Sequence, residues 1–343
     1  MGLNVSSPYT RTKTRVLFSN NKTGASSESI MSMDMSQDHR LMACSQGTLI
    51  HIWDCERLSV LTRVRHQKDT VICVRFSFDS SRIAACSLDG TVCIFGRPSG
   101  KWIYENIIQI DRNGWEWSCC WLMGSALVTV GTTGNLTVWD TIIPHTAPQV
   151  LDSVSVHTRS ANCVSSVVIS PNLYLISAGN DSCITISELA RNAKGLPHLA
   201  FVRHIYKTVA DVIYGIDSFE FNNNGESIFA AIGSDKSVRI WNMRNVLNGL
   251  DEPIVFWNRS RINTLAFSSD GRFLVIADIR GYITVYKSPI KCLNVRASRV
   301  WRYRLRMGSI RTIVWLRSVK YQLIAGLDSG KLVHVQIPSI LLT

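Results

Sequence analysis

The chain has 343 residues, of which 46% are hydrophobic and 18% charged, and carries a formal net charge of +12. That is a globular composition with ample core. No run approaches the roughly 18 uncharged apolar residues that a membrane-spanning helix needs, and the first 20 residues lack the apolar core of a secretory signal.

In chain order, residues 1–13 form a basic tail. It opens Met1-Gly-Leu-Asn-Val-Ser6, which fits the pattern for myristoylation of Gly2. Thr14-Arg-Val-Leu-Phe-Ser19 then reads as a strand. From residue 28 onward one unit recurs: a small-residue turn, a short β-rich run, then an aromatic or its stand-in. The copies are Gly47-Thr-Leu-Ile-His-Ile-Trp53-Asp54, Asp89-Gly-Thr-Val-Cys-Ile-Phe95 and Thr133-Gly-Asn-Leu-Thr-Val-Trp139-Asp140. Asp181-Ser-Cys-Ile-Thr-Ile-Ser187 and Asp235-Lys-Ser-Val-Arg-Ile-Trp241-Asn242 follow. Arg280-Gly-Tyr-Ile-Thr-Val-Tyr286 and Ser329-Gly-Lys-Leu-Val-His-Val335 complete the series. Successive ends lie 42, 44, 48, 54, 45 and 49 residues apart, the period of a four-stranded unit of roughly 40–45 residues with loop insertions. Runs such as Val71–Ser77 and Ile262–Ser268 precede the turns and alternate at period two, as half-buried strands do. Helical periodicity is nearly absent, so the chain is all-β.

These units resemble WD repeats across nearly the whole chain. Trp53-Asp54 and Trp139-Asp140 match the signature dipeptide, and Trp241-Asn242 departs from it by one residue. The resemblance implies a seven-bladed β-propeller of four-stranded antiparallel blades spanning residues 14–340. The expected blades are 28–60, 66–105, 112–152, 157–203, 204–256, 257–306 and 307–340. Little chain follows Val335, so the strand at 14–19 is expected to complete the last blade and remove two open sheet edges. The family's hydrogen-bonded tetrad of His, Ser or Thr, Asp and Trp implies structural roles for His66, Ser87 and Asp89 in blade two, with Phe95 in place of Trp. Blade four offers His157 and Asp181. Blade five offers His204, Asp235 and Trp241, with Gly233 where a Ser belongs.

Catalysis finds no support. His66, Ser87 and Asp89 have the residue types of a hydrolase triad, but in this repeat such residues brace a turn. No phosphate loop, nucleophile elbow or paired carboxylates stand out. Cys44, Cys73, Cys86, Cys93, Cys163 and Cys183 sit in strand-like apolar runs, Cys119 and Cys120 point to opposite faces of a strand, and no Cys/His group has zinc spacing. No metal, cofactor or small-molecule substrate is expected, and the compartment is a reducing one, cytoplasm or nucleus.

The charge is uneven. Residues 279–327 contain eleven Lys or Arg and no acid, and residues 1–27 contain four more and no acid. If the first strand closes blade seven, Arg11, Lys13 and Arg15 join Arg296, Arg299, Arg302, Arg304, Arg306, Arg311, Arg317 and Lys320 in one basic flank on blades six and seven. Trp301-Arg-Tyr-Arg-Leu-Arg306 alternates, so its arginines are expected on the solvent face. Edge protection accounts for two or three such cations; the whole run fits a polyanion, RNA ahead of DNA, or an acidic protein. The WD resemblance implies protein partners in a larger assembly. An anionic membrane, reached through acylated Gly2 and the basic flank, is the competing expectation. The longest spacing implies an insertion around residues 188–207, a second contact candidate.

Overall fold

The structure is a computed structural model, described over residues 12–18, 28–109, 114, 116–122, 126–191, 195, 197–205, 212–221, 226–250, 252–288, 298–316 and 321–338. The chain opens with β1 (Lys13–Phe18). Blade one holds β2 (Ile30–Met35), β3 (Leu41–Gln46), β4 (Leu49–Asp54) and β5 (Ser59–Val64). Blade two holds β6 (Val71–Phe76), β7 (Arg82–Ser87), β8 (Thr91–Gly96) and β9 (Ile103–Gln109). Blade three holds β10 (Glu116–Trp121), β11 (Ala126–Gly131), β12 (Asn135–Asp140) and β13 (Gln149–Ser155). Blade four holds β14 (Ala161–Ile169), β15 (Asn172–Gly179), β16 (Ile184–Arg191) and β17 (Pro197–Ile205). Blade five holds β18 (Ile213–Phe221), β19 (Glu226–Gly233), β20 (Ser237–Asn242) and β21 (Ile254–Trp257). Blade six holds β22 (Ile262–Phe267), β23 (Phe273–Asp278), β24 (Tyr282–Lys287) and β25 (Arg299–Arg304). Blade seven holds β26 (Ile310–Leu316), β27 (Gln322–Leu327) and β28 (Leu332–Gln336), and β1 pairs antiparallel with β28 as its fourth strand.

The chain is therefore a seven-bladed all-β propeller, closed by its N-terminal strand as the repeat count implied. Seven apolar clusters hold it together, one at each junction between neighbouring blades. Both faces of a blade meet a neighbour, so central strands such as β8 are buried at every residue. Outer strands are covered less: β5 alternates between exposed and half-buried residues. The first strand of each blade lines a central channel.

Local chemistry fixes the connections. Gly134 turns with φ +74°, and a Cβ there would lie 2.4 Å from the His157 carbonyl, where the chain passes to the next blade. Gly281 repeats the arrangement against Leu305 O at 2.5 Å. These are left-handed, crowded positions that glycine alone fills without strain. The signature dipeptide ends the third strand, and its second residue caps the turn. Asp54 accepts from Glu56 N and Arg57 N, Asp140 from Ile142 N, and Asn242 from Asn245 N. After Asn242 the turn is one turn of helix, α1 (Met243–Leu247), too short to leave a helical period in the sequence.

The residues of the longest repeat lengthen a hairpin. β16 and β17 run to 8 and 9 residues where most strands have six, and Arg191 closes its tip by donating to Gly195 O at 2.8 Å. Residues 192–194, 196 and 206–211 lie outside the described residues.

Candidate functional site

The blade turns come first, because they set the surface that partners meet. In blade four, buried His157 lies 3.0 Å from Asp181 through Nδ1 and 2.9 Å from Ser177 Oγ through Nε2. Burial alone would raise the Asp181 carboxyl. The hydrogen bond and charge of His157 and the N–H groups of Cys183 and Thr158 outweigh it and hold the carboxyl below its ordinary value. Blade two is built differently from the expectation. His66 is exposed and stacks on the Tyr104 ring at 3.8 Å, while its neighbour Gln67 is buried and donates to Ala85 O at 2.7 Å. Ser87 donates to Asp69 O, and Asp89 accepts from Lys68 N and Thr91 N. The three residues that resembled a triad thus serve a surface stack and backbone turns.

His204 is likewise not part of blade five. It lies on β17, the outer strand of blade four, 2.9 Å from Thr185 Oγ1. Asp235 accepts from Ser237 N and pairs with Arg239 at 2.9 Å, and fully buried Trp241 stacks on Phe229 at 5.0 Å. Trp53 is buried with its indole against the Cys44 thiol. Trp139 donates to Thr129 Oγ1 at 2.9 Å, and the Thr129 hydroxyl serves Glu116. Burial pushes the Glu116 carboxyl up to about 8, further than the Thr129 hydrogen bond lowers it. Blade six has its own version. Asp278 is buried and accepts from Asn258 Nδ2 at 3.0 Å and from the Ser260 hydroxyl. It sits two residues before the place expected for the turn acid, so alignment on Arg280 passed over it.

Among the described residues, the basic side chains do not form one flank. On blade six, Trp301 and Leu305 face the junction with blade seven. Arg302 and Arg304 take the other side, toward blade five, and lie over the Tyr282 ring at 4.1 and 5.3 Å. Arg304 is exposed, but Arg302 is only half-exposed, so the strict solvent-facing alternation does not hold. Lys13 and Arg15 are exposed on the side of β1 that carries Leu17 against blade one. The width of blades six and seven separates the two groups. A different grouping emerges at the end of the propeller where the inner strands begin. Arg280 and Arg304 meet there, with Arg304 Nε donating to Arg280 O at 3.3 Å. Arg306 follows in the next turn, and Arg311 projects from the inner strand β26 at the channel mouth. These four exposed arginines make a radial strip from rim to channel. Arg261, over Tyr214 at 4.2 Å, stands beside it. Among the described residues, none of Arg299, Arg302, Arg304, Arg306 or Arg311 meets a carboxylate. Gly2, Arg11, Arg296, Arg317 and Lys320 lie outside the described residues.

The channel holds charge that the sequence did not reveal. Arg75 sits between two cavities, of about 380 and 200 Å³, one toward each end. Asp34 and Asp217 line the larger one and accept from Phe76 N at 2.7 Å and Phe267 N at 2.8 Å, tying neighbouring inner strands. Burial pushes both carboxyls up to about 6 against the lowering effect of Arg75 and these N–H groups. Acids therefore do converge on the channel. They stand 183 positions apart in the chain, and only closure of the ring brings them together. Between blades two and three, Cys73, Cys86 and Cys119 also converge.

The family model of the WD domain, G-beta repeat, matches residues 18–54, 58–96 and 202–242. Each match begins on the outer strand of one blade and ends with the third strand of the next, the same offset that places β1 on blade seven. No curated protein matches the chain significantly. No helix among the described residues is long and apolar enough to cross a membrane. The chain thus carries three stretches that match the WD repeat, set in a closed ring of seven four-stranded blades built on one plan.

Proposed function

We propose that this propeller is a non-enzymatic scaffold or adaptor subunit of an intracellular multiprotein or ribonucleoprotein assembly, and that its basic surface takes RNA. WD-repeat propellers serve generally as protein-interaction scaffolds, which carries the first half. The second rests on the radial strip Arg280, Arg304, Arg306 and Arg311, exposed and, for the last three, without a carboxylate among the described residues. Guanidinium groups make bidentate phosphate contacts and stack on bases, and a strip leading to Tyr214 and Trp117 at the channel mouth offers aromatic faces beside them. Of the ten cysteines, the nine among the described residues are free and eight of them are buried, which fits a reducing compartment, cytoplasm or nucleus.

The test is binding of a single-stranded RNA oligonucleotide across a salt series, for the wild type and for Arg304→Gln/Arg306→Gln/Arg311→Gln. Three lost phosphate contacts are expected to make the slope of log K against log salt shallower by about 2, with thermal stability nearly unchanged. An unchanged affinity and slope would reject RNA as the partner of this strip. The companion experiment is affinity purification with and without nuclease; a partner set that survives nuclease points to an acidic protein instead.

A further inference from the structure

We infer that Cys73, Cys86 and Cys119 form a binding site for one Cu(I) ion, buried between blades two and three. The three Sγ atoms lie within 4.8 Å of one another. Cys73 and Cys86 are cross-strand partners on β6 and β7, and both face blade three, where Cys119 enters from β10. Three thiolates around one ion at a metal–sulfur distance of about 2.3 Å stand roughly 4 Å apart, so only small side-chain movements close the set. No fourth protein donor joins the group among the described residues. That favours a soft ion content with three sulfur ligands over zinc, whose structural sites are tetrahedral.

The surroundings fit such a guest. Cys86 and Cys119 are fully buried, whereas Cys73 and Arg75 line the smaller channel cavity, which supplies an entry path. On binding, three S–H bonds break and three Cu–S bonds form. The protons leave to solvent, and neither copper nor sulfur changes oxidation state. The resulting site carries two negative charges, and the guanidinium of Arg75, which lines the same cavity as Cys73, offsets one of them. Among the described residues, the remaining buried cysteines have no such arrangement.

The experiment uses the full chain, reduced and anaerobic, titrated with Cu(I) against a chromogenic Cu(I) chelator. One ion retained per chain, with release of protons and a sulfur-only coordination shell by X-ray absorption, is the expected result. Cys73→Ala, Cys86→Ala and Cys119→Ala, each checked for native circular dichroism, are expected to lose that retention, while Cys44→Ala and Cys163→Ala keep it. Failure of the folded wild type to retain copper overturns the assignment without any variant. Retention that persists in the triple Ala variant, or retention of zinc but not copper, overturns it too.

Discussion

At the residue scale, adjacent residues in one turn have opposite fates. His66 stacks on the surface while Gln67 fills the buried position and satisfies a carbonyl of β7. His66→Ala is therefore expected to change unfolding free energy by about 0.5 kcal/mol or less, and Gln67→Ala to cost about 1–3 kcal/mol by removing its buried hydrogen bonds to Ala85 O and Thr91 O; urea denaturation of both variants checks this. His157→Ala removes bonds to both Asp181 and Ser177 and is expected to cost about 3 kcal/mol. The acids give pH signatures of opposite sign. Asp181 is held below its unfolded value, so its contribution is present at neutral pH and is lost as pH falls through the folded value. Glu116 is raised to about 8, so the folded state holds its proton more tightly than the unfolded state. Stability then declines as pH climbs from the unfolded value of 4.5 to about 8. Glu116→Gln keeps a neutral side chain at every pH. Its melting temperature should exceed the wild type's at pH 9, and the gain should vanish near pH 4; an equal gain at both would show that Glu116 titrates normally. The turn motifs were readable as sequence, but which neighbour turns inward was not. A one-residue slip exchanges the faces of an extended chain.

At the element scale, β1 is the piece that distance in sequence hides. It joins β28 across nearly the whole chain and puts Leu17 against the junction of blades seven and one. Removing residues 1–18 would bare the N–H and C=O groups of β28 along an open edge. The expected outcome is a loss of order 3 kcal/mol and concentration-dependent self-association, read by calorimetry and light scattering. A truncated chain that melts like the full one and stays monomeric would show that the closing strand carries no stability. The long spacing in blade four proved to be extra strand rather than a free loop. β16 and β17 continue their ladder outward, because alternating residues such as Leu189 and Leu199 still find the blade three–four junction to pack against.

At the scale of the whole molecule, seven apolar clusters alternate with seven sheets around a channel, and function is decided by what the ring brings to its faces. The net charge of +12 is concentrated on the last two blades and the N-terminal strand, yet the pleat distributes it. Arg302 and Arg304 turn toward blade five, Lys13 and Arg15 toward blade one, and Arg280, Arg306 and Arg311 align with Arg304 along one end. If the strip rather than the rim governs RNA binding, Lys13→Gln/Arg15→Gln should leave the salt slope unchanged while the Arg304/Arg306/Arg311 substitutions reduce it. The reverse order would return the function to the outer edge.

The sequence by itself determined the number of blades, the strand content and the closure by the first strand. All of these follow from a period near 45 residues, alternation at period two and short-range turn chemistry. The tertiary structure alone decided the channel and the thiol cluster. Asp34, Arg75 and Asp217 come from three different blades, and Cys73, Cys86 and Cys119 from two, at spacings that form no motif. A propeller repeats its local geometry but joins its inner strands only by closing the ring, so chemistry along the axis leaves no periodic trace in the chain.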